Sequence, residues 1–558
     1  MSFHKKLKTL IKQALIKIYS IEIPNENSIN LEIPNNYNYG DLCTTAPLIF
    51  AKTLKQSPLK IAENLCNELK ESLKDIAEVN FVAPGFINFK LKEKAFAEIL
   101  LKFQDNNIIE KVPSEEKQQI LIEYVSANPT GDLHLGHGRG AVLGSALVSI
   151  FKALGHNVLS EFYINDAGEQ MLKLGRSAST IYFGKESSNE DEYPKELIEK
   201  YVVDLSAGLS EEEITIQVKE KILEKQKQIL KACKVEFDSW ISEKQEIHDS
   251  GILDQTLQEL KNNDLVYEKD GATWLNAIKL GDQRDRVLIK SENQKATYLM
   301  GDLAYHKHKF ARAEKLINLW GADHQGQDVS LKLGLKALNK NPENLTVLFL
   351  QLVSLFKDNE EVKMSKRSGT LITVEEVLEE VGADAFRTTM LNTHVNNRLI
   401  FDVNLVKKKD DSNPVFYLQY AFARASGILR RAFEDNFKGE KAFTSLTELE
   451  EFSKDINNLT FAFININENE LIASKNLLLR LEFFNQELYN SAKNLNPCNL
   501  LNYLSEIAGL FHSFYAPCKA INPENKNLSL ARLCLIQAFR NVMKNGLEIL
   551  LISAPEIM

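Results

Sequence analysis

Two short segments carry residues whose types and spacing suit a polyphosphate. The first runs from Glu123 to Gly140 as EYVSANPTGDLHLGHGRG. A β-rich run, ILIEYV, ends in a turn through Asn128, Pro129, Thr130 and Gly131, and a helix is expected to start near Gly138. A helix start presents unpaired N–H groups and the positive end of its dipole, which suits phosphates. His134 and His137 stand three residues apart and can face one side, with Leu135 and Gly136 between them. Gly136 has no side chain, so a flat base can approach the backbone. Taken alone, two capping histidines in a tight turn explain this segment as well. The second segment is EVKMSKRSGT, Glu361 to Thr370. It gathers Lys363, Lys366 and Arg367 in a short loop with Met364, Ser365, Ser368 and Gly369. Such a loop can close over phosphates and neutralise charge developing at a phosphorus under attack. Its plain alternative is a solvated basic turn.

The elements around these segments follow an α/β rhythm. ILIEYV, the helical run GRGAVLGSALVSIFKALG and strand-like VLSEFYI make a βαβ unit, with Gly155 as the expected helix end. ATYLM, KLINLW and NLTVLFLQLV read as later strands. Between them lies a charged, helical insert, about residues 176–265, whose runs such as KEKILEKQKQILK read as solvated faces. Before this unit, residues 1–112 form a small α+β region ending in the hairpin VNFVAPGFINFKL, turned at Pro84-Gly85. After it, residues 404–558 carry helical periodicity throughout. The expected fold is therefore multi-domain α/β. A Rossmann-like catalytic domain over 113–403 holds the helical insert, between a small N-terminal domain and an all-α C-terminal domain.

Charge and cysteines narrow the class. The chain has 67 basic and 76 acidic residues, a net charge of -9. Binding of a nucleic acid then needs local basic faces, because phosphate contacts rest on Lys and Arg. Candidates are Lys5, Lys6, Lys8 and Lys12 at the N-terminus, and Lys407, Lys408, Lys409, Arg424, Arg430 and Arg431 in the C-terminal region. Tyr417, Tyr420 and Phe422 lie among the latter as stacking candidates or as core positions. The six cysteines include no CxxC pair, so neither a disulfide framework nor a zinc ribbon is expected. The first residues form an amphipathic helix rather than a signal peptide, and no stretch is apolar enough to span a bilayer. A cytoplasmic enzyme is the expected class.

HLGH at 134–137 and KMSK at 363–366 resemble the two signatures of class I aminoacyl-tRNA synthetases, in that family's order. The longer runs SANPTGDLHLGHGRGAVLG, YINDAGEQ, VKMSKRSG, GADAFR and LISAPEIM are similar to those of arginyl-tRNA synthetases. NYGDLCTTAPLIFAK and VAPGFINFKL resemble that family's additional N-terminal domain. The resemblance implies an aminoacyl-tRNA ligase that joins L-arginine to tRNA(Arg) through arginyl-adenylate, consuming ATP with Mg2+ and releasing AMP and pyrophosphate. It implies ATP contacts from Asn128, Pro129, Thr130, Gly131, His134, Leu135, Gly136, His137, Met364 and Ser365, and catalysis by His134, His137, Lys363 and Lys366. It implies arginine contacts from Glu123, Ser126, Asn128, Tyr298, Asp302 and Asp323. Carboxylates and flat contacts suit a guanidinium. Read alone, Glu123 is an edge-strand carboxylate and Asp302 a helix cap. The resemblance further implies a tRNA-contacting N-terminal domain, a helical anticodon-binding domain, a monomer, and arginine activation that needs bound tRNA.

Asp323, His324 and Gln327 in WGADHQGQ are further candidates at a strand end for ribose or amino-acid contacts. His324 lacks a second ligand at metal spacing, so no structural metal is expected. Three rivals remain open at this point. A cysteinyl enzyme of the same class would carry clustered zinc ligands. A small nucleotidylyltransferase would not need the large helical domain. An inactive tRNA-binding relative would usually have lost a signature residue.

Overall fold

The computed structural model describes residues 3–23, 28–34, 36–185, 192–292, 295–358, 360–362, 372–434 and 441–558. The N-terminal region opens with the helix Phe3–Tyr19, whose buried Phe3, Leu7, Ile11 and Leu15 recur every four residues and so form one apolar stripe. That stripe packs against the helix Pro58–Leu73, which lies on a three-stranded antiparallel sheet of β1 (Leu42–Thr44), β2 (Ala77–Val82) and β3 (Phe86–Leu91), in the order β1-β3-β2. The expected hairpin is β2–β3, turning at Pro84 and Gly85. This region docks on the C-terminal helices. The His4 N–H donates to Glu482 Oε1 (2.8 Å), Lys8 Nζ to Gln486 Oε1 (2.9 Å), and Asn485 Nδ2 to the Ile108 carbonyl (2.9 Å). Lys8 is thereby buried and leaves the candidate tRNA face.

The central sheet contains β4 (Gln119–Glu123), β5 (Asn157–Ile164), β6 (Ser239–Ser242), β10 (Lys315–Gly321) and β11 (Leu345–Leu350). All pair in parallel, in the order β11-β10-β4-β5-β6. The chain winds outward from β4 in one direction through β5 and β6, then restarts beside β4 with β10. The strand order therefore reverses between β4 and β10, and in such sheets the crevice beyond the strand ends at that reversal is the ligand site. Two small sheets flank it. One is β7 (Val266–Lys269), β8 (Ala272–Leu275) and β9 (Arg286–Ile289); the other is β12 (Val353–Lys357), β13 (Glu360–Val362) and β14 (Leu399–Asp402). From Val403 onward the described residues hold helices and no strand. Among the described residues no helix is long and apolar enough to cross a membrane.

Four expectations change. ATYLM is not a strand: Thr297 caps the helix Tyr298–Phe310, accepting from the Met300 N–H (3.4 Å). Met300, Leu303 and Ala304 are buried at helical spacing, so packing along a helix face overrides the local β tendency. NLTVLFLQLV divides into β11 and the start of β12, which belongs to a different sheet. The segment 176–265 includes β6, the fifth strand of the central sheet. Its helix Glu211–Ala232 is not simply solvated either, since Ile214, Val218, Ile222, Gln226, Ile229 and Leu230 are buried. Finally, the helix expected near Gly138 begins at Leu135, and that shift decides what His134 does.

Candidate active site

β4 is buried along its last four residues and ends in a contorted turn. Val125 and Ser126 have φ of 70° and 43°, a left-handed region costly for a β-branched residue and found most often where function needs a particular turn. The turn leads to His134, which is the N-cap of the helix Leu135–Ala153. His134 Nδ1 accepts from the N–H groups of Gly136 (3.1 Å) and His137 (3.4 Å), while His137 Nδ1 accepts from the His134 N–H (3.3 Å). The two rings stack with centroids 3.7 Å apart. The capping reading therefore holds for both residues. With Nδ1 accepting, neutral rings carry their proton on Nε2, as donors. Gly136 is exposed at this helix start, and a Cβ there would lie 3.0 Å from His134 Cε1. Gly144 lets the helix close on β4, since its Cβ would fall 2.1 Å from the Tyr124 ring.

Lys363, Met364, Ser365 and Lys366 lie outside the described residues. The chain that follows them is fixed to the first segment. Thr373 forms a β-bridge with His134, and the Val374 N–H donates to the Leu133 carbonyl (2.8 Å).

The carboxylates gather at the ends of β4 and β6 and on the helix Tyr298–Phe310. Glu123 is buried, with Oε1 accepting from Ser126 Oγ (2.7 Å) and Oε2 paired to Lys309. Lys309 is fully buried and also donates to Asn318 Oδ1 (2.9 Å). Asn318 Nδ2 meets His306 Nε2 (2.8 Å), and His306 Nδ1 meets the Asp302 carbonyl (2.7 Å). That last contact needs a proton on Nδ1, so Nε2 accepts. Burial, with Lys309 close by, holds His306 well below the usual range, as a neutral ring.

Asp302 sits two turns before Lys309 on the same helix. Among the described residues its carboxylate has neither a side-chain hydrogen bond nor an ion pair. Burial, together with the charges of Glu123 and Glu243, pushes its pKa up to about 7 despite the opposing pull of Lys309. Glu243, just after β6, is raised by burial and held back by His248, 3.5 Å away. Between these acids stands Tyr163, raised by burial and by Glu243, Asp302 and Glu123, with its ring 4.3 Å from that of Tyr305. The result is an acid-rich cluster of Glu123, Asp302 and Glu243, with Lys309 as a buried cation against it.

Other expected residues stand further out. Tyr298 is one turn from Asp302 but 88% exposed. Asp323 is exposed at the end of β10, next to His324, whose Nδ1 meets Gln327 Oε1 (3.1 Å). Asn128 and Gly131 turn their carbonyls toward Gln226 of the insert. Sequence reasoning passed over Tyr163, Glu243, Lys309, His306 and Asn318. Tyr163 is the first residue of the block YINDAGEQ, the one available signal. Glu243 and Lys309 sit in charged runs that look like surface.

Comparisons with known proteins agree with this arrangement along the whole chain. Residues 5–91 match the arginyl tRNA synthetase N terminal domain, 98–412 the catalytic domain of class I (R) tRNA synthetases, and 418–558 the DALR anticodon binding domain. An arginine–tRNA ligase of Listeria monocytogenes is 37% identical over 573 residues, covering 99% of this chain and 98% of that protein. One from Elusimicrobium minutum is 37% identical over 521 residues, covering 93% of each. The solved arginyl-tRNA synthetase of Thermus thermophilus shares the fold at a TM-score of 0.77 and 22% identity, over 100% of both chains. The chain belongs to the arginyl-tRNA synthetase family, the class I ligases that join arginine to tRNA.

Proposed function

We propose that this chain, as an arginine–tRNA ligase, activates L-arginine in the crevice between β4 and β10. The observation that carries this is the Asp302 carboxylate, without a side-chain partner among the described residues, beside Glu123 and one strand from the His134 cap. Asp302 and Glu123, with Ser126, Asn128, Tyr298 and Asp323, hold the guanidinium and amino groups. ATP lies along Asn128 to His137, is also bound by Met364 and Ser365, and enters as its magnesium complex. A carboxylate oxygen of arginine attacks the α-phosphorus, and the bond to pyrophosphate breaks. His134 and His137 donate to the phosphates from one side and Lys363 and Lys366 from the other, so charge is neutralised as it moves. A terminal ribose hydroxyl of tRNA(Arg) then attacks the arginyl carbonyl and AMP leaves. No side chain becomes acylated.

Residues 404–558 read the anticodon region and 1–112 contact the tRNA elsewhere. Exposed Lys408 and Lys409, with the half-exposed Tyr420 stacked on Phe416, support the first assignment. Phe422 is a core residue, and Arg424 packs on Tyr515. The protein acts as a cytoplasmic monomer. The test is ATP–pyrophosphate exchange with each amino acid, with and without tRNA(Arg). Exchange with arginine alone among the amino acids, and dependent on tRNA, supports the reading; exchange with another amino acid overturns it.

A further inference from the structure

The insert reaches the loop before the first histidine through one buried amide. Gln226, on the helix Glu211–Ala232, is 1% exposed. Its Nε2 donates to the carbonyl oxygens of Asn128 (3.2 Å) and Gly131 (2.9 Å). One side chain thus spans the whole turn that carries Pro129 and Thr130. The orientation is fixed, because a flipped amide would set its oxygen against two carbonyl oxygens. Gln226 Oε1 is buried and has no donor among the described residues. A buried polar atom without a partner lowers stability, so bulk packing alone does not account for a glutamine here. The next residue of the turn, Asp132, is held by a second insert helix: Tyr201 donates to its Oδ1 (2.7 Å) and Lys200 to its Oδ2 (2.5 Å).

A trans peptide points its N–H opposite to its C=O. Turning the Gly131 carbonyl toward Gln226 therefore aims the Asp132 N–H away from the insert. The spacing from this turn to the His134 cap is only two residues, so its backbone orientation governs where the helix start faces.

We propose that Gln226 is a positioning residue for ATP, holding the Asn128–Gly131 turn in the orientation that receives the nucleotide. This rests on assigning ATP to the segment from Asn128 to His137. The residue acts through the backbone of that turn and takes no part in the chemistry.

Two substitutions separate positioning from filling space. Gln226→Met keeps the volume and loses both donors. It should raise the KM for ATP about tenfold and leave that for arginine within about twofold. Gln226→Glu donates only when its carboxyl is protonated. Its activation rate relative to wild type should therefore climb as pH falls from about 8 to about 6, while the Gln226→Met ratio stays flat. If Gln226→Met does not fold, the pH ratio of Gln226→Glu decides alone. An unchanged KM for ATP in Gln226→Met, or a flat ratio in Gln226→Glu, overturns the proposal. His137→Ala, measured beside them, separates two failures. Impaired activation in His137→Ala with unaffected Gln226 variants removes the proposal only, whereas normal activation in all of them removes the ATP-site assignment beneath it.

Discussion

Two carboxylates, half-buried Asp302 and buried Glu482, are both pushed up to about 7, chiefly by loss of water, yet they occupy different kinds of place. Glu482 lies in the seam where the N-terminal helix docks on the C-terminal helices, accepts the His4 N–H (2.8 Å), and is fully enclosed. Asp302 lies at the reversal of the central sheet, near Glu123 and Glu243, with no side chain of the described residues bonded to its carboxylate. A raised carboxyl is thus no sign of function by itself. It becomes one when the group is left for a ligand rather than closed over by its own fold. Glu123 shows a third solution, since Lys309 gives the fold its own counter-charge.

The largest effect should come from removing that counter-charge. Lys309→Met leaves Glu123 buried without its cation and should destabilise the protein by about 3–5 kcal/mol, read by denaturant unfolding. A loss near zero would mean that Glu123 is reached by water and is not the buried partner described. Asp302→Asn should come next. Arginine affinity should fall about 100-fold while ATP affinity changes by less than about threefold, since a guanidinium loses a charged acceptor. In the wild type a proton competes for that acceptor, so arginine affinity should weaken below pH about 7. The variant should lack this dependence. Calorimetric titration of both ligands checks it, and equal losses for ATP and arginine would remove Asp302 from the pocket.

Glu482→Gln should have the smallest effect and the opposite sign. A carboxyl whose pKa is raised on folding holds its proton better in the folded state, so its stabilising contribution is complete below about pH 4 and is lost as pH rises toward 7. Replacing it should leave stability unchanged near pH 4 and raise it by about 2 kcal/mol at pH 8, with arginine affinity untouched. Thermal unfolding at the two pH values measures this. A loss of arginine affinity would erase the contrast between the two acids.

Much of this was legible in the sequence because apolar runs and helix-start residues carry local signals. The strand ILIE and the β2–β3 hairpin stand where their patterns put them, whereas the helix starts at Leu135, ahead of the expected Gly138. What escaped depended on distant partners. SWIS is too short to announce a strand, and becomes one only by pairing with β5. HKHKF looks like a basic surface, but Lys309 and His306 turn inward because Glu123 and Asn318 receive them. Gln226 is one glutamine in a lysine–glutamate run, distinguished only by the two carbonyls it meets.

In the proposed reaction the His134–His137 helix start and the carboxylates of the β4–β10 crevice serve one adenylation step. Single-turnover formation of arginyl-adenylate, with tRNA(Arg) present, tests it most directly when wild type is compared with His137→Ala. The variant should lose about 10- to 1000-fold, equal to about 1.4–4 kcal/mol of transition-state stabilisation, while unfolding like the wild type. A folded His137→Ala variant that forms the adenylate at the wild-type rate would contradict it.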